Sequence, residues 1–77
     1  MTATQWLIEA SKKYCVHVFI RKTTINVCVV NANNTGPNLA NATGASFDEA
    51  VQLAANQIAE LETRGWKIVD GEVKLLS

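Results

Sequence analysis

Cys15, His17 and Cys28 are the side chains of this 77-residue chain whose types could do covalent or metal chemistry. A thiolate beside an imidazole is the nucleophile and base pair of cysteine hydrolases, and sulfur with imidazole nitrogen suits zinc. The spacing decides against both. Cys15 and Cys28 lack the C-x-x-C pairing that makes a zinc site specific. No third group stands nearby to orient the imidazole, and no oxyanion site is evident. Catalytic, metal and cofactor residues are therefore not expected, and the chain reads as a non-enzyme. Gly44-Ala45-Ser46, just before a helical stretch, could offer free N–H groups to an anion, but Asp48 and Glu49 stand where the anion would go.

The elements that position these side chains follow from periodicity. Residues 44–66 carry the strongest helical signal, with apolar side chains at Phe47, Val51, Ala54, Ile58 and Leu61 along one face. Ser46 and Glu49 form a capping box at its start. Gly65, with Trp66 folding back on Leu61, suits a Schellman ending. The spacing predicts a helix of about 17 residues, about 26 Å long. Thr2 and Gln5 predict a second capping box, opening a short helix over residues 3–13.

Between the helices, Cys15–Ile20 and residues 25–32 are rich in valine and isoleucine, the signature of a hairpin centred on Lys22-Thr23. That turn sets Val16 opposite Val29, Val18 opposite Val27 and Ile20 opposite Ile25, so one surface is wholly aliphatic. In the same register His17 and Cys28 are neighbours. Cys15 and Cys28 are diagonal, about 7–8 Å apart and too far for an unstrained disulfide. A short third strand is expected over 39–43. Residues 66–69 and 72–76 flank Asp70-Gly71, a type I′ turn sequence, and predict a terminal hairpin or one bent strand. The fold class is α+β in the order α-β-β-(β)-α-β(-β), with residues 1–77 as a single domain and both helices on the aliphatic face of an antiparallel sheet.

The other sheet face carries Cys15, His17, Phe19, Asn26, Cys28 and Val30, with Arg21 beside it. It is too mixed for a core and too apolar for an ordinary solvated surface. An apolar patch with a polar rim marks a contact surface, so these seven residues are the expected protein interface. The rival expectation is that Trp66, Ile68, Val73 and Leu75 fold across and cover it.

Seven basic and seven acidic side chains cancel, which removes the positive field that draws proteins to polyanions. Nucleic acid is thus an unlikely partner by charge. Charge is nonetheless uneven: residues 10–47 hold Lys12, Lys13, Arg21 and Lys22 without an acid, and 48–77 hold six acids against three bases. Two cysteines, no secretory leader and no long apolar run point to a cytoplasmic protein with free thiols and no membrane contact.

Gly44-Ala45-Ser46-Phe47-Asp48-Glu49-Ala50 is the stretch that carries family likeness. It resembles the helix start of HicB-type antitoxins, whose three strands, helix and further strand would cover residues 15–76; the resemblance implies neutralising a toxin by direct binding. The chain also resembles double-stranded RNA-binding domains over residues 3–62, with helix, three strands and a helix containing Ala54-Ala55. That family grips phosphates with lysines at the helix start, where this chain has Phe47, Asp48, Glu49 and Gln52, and acid there repels RNA. The expectation is a small protein that binds another protein or a second copy of itself, as an inhibitor, an antitoxin-like factor or a mobile-element accessory regulator. The alternative is an RNA-binding module.

Overall fold

A computed structural model describes residues 2–64, 66–69 and 72–75, with side chains described for 2–64. The elements run α1 (Ala3–Ser11), β1 (Cys15–Ile20), β2 (Ile25–Val30), β3 (Ala40–Gly44), α2 (Phe47–Thr63), β4 (Trp66–Val69) and β5 (Glu72–Leu75). β1, β2 and β3 form an antiparallel sheet in that order, and β4 pairs with β5 in a separate two-stranded sheet. The α+β class and the expected element order hold.

Local chemistry explains the boundaries. At α1, Thr2 Oγ1 accepts from Gln5 N–H at 3.1 Å and Gln5 Oε1 accepts from Thr2 N–H at 2.9 Å, a complete capping box. At α2, Ser46 Oγ accepts from Glu49 N–H at 3.2 Å, but Glu49 reaches back to the N–H of Ala45, one residue earlier than a capping box requires. α1 ends two residues before the expected boundary, at Ser11. Gly65, Asp70 and Gly71, on which the expected helix ending and terminal turn rested, lie outside the described residues. The β4–β5 pairing sets Trp66 against Leu75, Lys67 against Lys74 and Ile68 against Val73.

β1 and β2 pair in the register that the aliphatic alternation predicts, from Cys15 opposite Val30 to Ile20 opposite Ile25. Val27, Val29, Ala40 and Ala42 bury one sheet face against Ala50, Val51, Ala54 and Ile58 of α2 and Ala10 of α1. Small side chains on both sides let helix and sheet approach closely. At Gly44 a Cβ would lie 2.7 Å from the backbone nitrogen of Ala50. Gly44 is thus required by the turn from β3 into α2.

The aliphatic stripe is not covered along its whole length, as the periodicity alone implies. Val27 and Val29 are fully buried, whereas Val18 is 38% and Ile20 80% exposed. α2 packs over β2 and β3, and of the β1 side chains only Val16 packs against the core. One outer corner of β1 therefore stands clear of both helices.

Candidate protein-binding face

The face of the sheet away from the helices is built by strand alternation, which puts Cys15, His17 and Phe19 of β1 on one side with Asn26 and Cys28 of β2. Asn41 and Thr43 of β3 continue it. Three groups of contacts fix its chemistry.

The first is a column along β1. His17 and Phe19 stack with ring centroids 6.2 Å apart and planes inclined by 14°. His17 Nε2 lies 3.0 Å from Asn34 Oδ1 and 3.4 Å from Cys15 Sγ. Both contacts converge on one ring nitrogen. Together they hold the imidazole in place on the sheet face. Asn34 reaches His17 from the β2–β3 connection by adopting φ 58°, a left-handed conformation that asparagine tolerates better than most residues.

The second is a polar ladder across β2 and β3. Asn26 Nδ2 donates to Asn41 Oδ1 at 2.7 Å, Thr43 Oγ1 at 3.0 Å and the carbonyl of Ala42 at 3.0 Å. The network spends the amide's donors inside the protein and fixes its orientation. The third comes from α2, where Gln57 accepts from the N–H of Asn41 at 2.8 Å and donates to its carbonyl at 3.2 Å.

The seven residues expected at the interface separate into three groups. Phe19 is 47% exposed and presents its ring to solvent, and Arg21 is exposed at the hairpin end. Cys15, His17, Asn26 and Cys28 are half-buried on the same face. Val30 is buried, only 7% exposed. Sequence placed it on this face by alternation, as His17 opposite Cys28 was placed, but alternation assigns a side and says nothing of what lies above it. Sequence reasoning missed Asn34, Asn41 and Thr43. For Asn41 and Thr43 the signal was there, since the third strand puts them in line with Asn26.

Cys15 and Cys28 are unbridged, and no group of three potential ligands for a metal ion occurs among the described residues. No helix among them is long and apolar enough to cross a membrane. The side chains of Trp66, Ile68, Val73 and Leu75, the expected alternative cover for this face, lie outside those described. No protein-family model, curated protein or solved structure matches the chain.

Proposed function

We propose that this protein is a non-enzymatic binding module that recognises another protein through the sheet face centred on Phe19, acting as an inhibitor or regulator. The observation that carries this reading is an exposed aromatic side chain held in position: Phe19 is stacked on His17, and His17 is itself fastened to Asn34. Binding energy at protein interfaces concentrates in a few anchors, aromatic ones prominent among them. An anchor that is already ordered loses less conformational entropy on association. The half-buried Cys15 and Cys28 on the same face add apolar area, and the Asn26 amide is already spent on Asn41, Thr43 and Ala42, which suits a protein surface better than a phosphate backbone.

A catalytic role finds little support in the same contacts, because the imidazole nitrogen nearest the Cys15 thiol is also engaged by Asn34. An RNA-binding role finds little: the first turn of α2 carries Asp48 and Glu49, which oppose phosphate. The test is Phe19→Asp. The side chain is exposed in the free protein, so folding is expected to survive, whereas a carboxylate pressed into an apolar contact is costly. Loss of partner binding with an unchanged melting profile supports the reading, and retained binding overturns it.

A further inference from the structure

The three-stranded sheet has two free edges, and they are guarded unequally. On β3 the outward N–H and C=O of Asn41 are both taken by the side chain of Gln57, at 2.8 and 3.2 Å. On β1 the corresponding groups follow from the hairpin. Arg21 N–H donates to the carbonyl of Thr24 at 2.8 Å, so alternation makes Phe19–Asn26 and His17–Cys28 hydrogen-bonded pairs and leaves Val16, Val18 and Ile20 with their N–H and C=O groups directed away from β2. β1 is the end strand, and among the described residues no backbone group pairs with it on that side. Natural edges are usually blunted by proline, a bulge or a charge within the strand. β1 has none of these: its sequence is CVHVFI and its register runs unbroken.

We propose that the outer edge of β1 takes up an extended segment of a partner protein as an added strand, the segment being aliphatic at alternate positions and acidic at both ends. The backbone groups of Val16, Val18 and Ile20 supply the hydrogen bonds, and the exposed Val18 and Ile20 side chains supply the apolar contact. Charge selects the occupant. Lys12 and Lys13 lie just before β1 and Arg21 and Lys22 just after it. Lys12 pairs with exposed Glu9, while Lys13, Arg21 and Lys22 hold no ion pair among the described residues. A second copy of the chain added antiparallel sets Lys12 and Lys13 of one molecule against Arg21 and Lys22 of the other, and a parallel copy sets each pair against itself. Like charges directly opposed are destabilising, so self-pairing is disfavoured and an acid-flanked strand is favoured. This inference rests on the reading of the chain as a protein-binding module and adds which backbone groups bind and what chemistry they accept.

The experiment is an NMR titration of the full chain with a nine-residue synthetic peptide of alternating valine and threonine bearing two glutamates at each end. Saturable shifts and slowed amide exchange at Val16, Val18 and Ile20 are expected, with Asn41 unaffected. The same peptide with lysine ends is expected to bind at least about tenfold more weakly, as is the glutamate peptide toward the Arg21→Glu, Lys22→Glu double variant. Val18→Pro removes an outward N–H without breaking a bond to β2 and should abolish binding. Should that variant fail to fold, a peptide N-methylated on its edge-facing amides serves in its place and is likewise expected not to bind. Three results each overturn the proposal: no binding at about 1 mM peptide, equal binding of the lysine peptide, or protection of the three amides that appears with rising protein concentration and no peptide. Phe19→Asp keeps the β1 backbone and separates the two ideas. A peptide that never binds, alongside native partner binding lost in Phe19→Asp, removes the edge proposal alone, whereas partner binding that persists in Phe19→Asp removes the reading of the Phe19 face.

Discussion

Tyr14, the sole tyrosine of the chain, joins the start of the sheet to the end of α2. Its ring is buried and its hydroxyl donates to Glu62 Oε1 at 2.8 Å. Burial, then the hydrogen bond to Glu62 and the charge of its carboxylate, push the phenol's ionisation well above the ordinary value of 10.0. Neutral Tyr14 therefore contributes stability that is complete below about pH 10, where the unfolded phenol is also protonated, and is lost as pH rises through the folded value. Tyr14→Phe is expected to cost about 1 kcal/mol at neutral pH, and its melting temperature should fall less steeply than the wild type's above about pH 10. Parallel alkaline slopes would show that the hydroxyl is not coupled to folding. Gly44 is the second residue whose role is local. A methyl group there meets the Ala50 nitrogen, so Gly44→Ala is expected to destabilise by about 1–3 kcal/mol in denaturant titration. Neither role was visible in the sequence. Tyr14 and Glu62 are 48 residues apart, and Gly44 read as part of a helix entrance because its neighbours are capping residues. The Asn34 contact to His17 was equally hidden, since it depends on one left-handed residue in a polar loop.

Among the elements, α2 and the β1–β2 hairpin were legible because each has a strict period and a start or turn marked by side-chain chemistry. Ser46 and the stripe from Phe47 to Leu61 imply the helix, and the Val/Ile pairs about Lys22-Thr23 imply the register that is found. The uncovered corner of β1 was not legible, because periodicity says which face a residue takes and not how far a helix extends across it. A paired substitution tests this difference. Ile58 is buried between α2 and the sheet, and Ile58→Ala is expected to cost about 2–5 kcal/mol. Ile20, although on the same aliphatic face, is 80% exposed, and Ile20→Ser is expected to change stability by less than about 0.5 kcal/mol. Equal losses would mean that Ile20 is covered and that the β1 corner is closed.

For the whole molecule, charge is the property read most directly from sequence, because it needs no fold. Seven charges of each sign leave no net charge, and the first turn of α2 is acidic. Affinity for duplex RNA is accordingly expected to be weaker than about 1 μM at physiological salt by fluorescence anisotropy. Tighter binding with a steep salt dependence would favour the RNA-binding alternative. What charge leaves open is whether the Phe19 face is where the protein meets its partner. The most direct measurement is quantitative capture from native cells with wild-type and Phe19→Asp protein as bait, each melted in parallel and sized by light scattering for self-association. A partner, or a second copy, held by the wild type and weakened by at least about tenfold in a variant of unchanged melting temperature is the expected result. Equal capture by the two baits, or a Phe19→Asp chain that no longer folds, would contradict it.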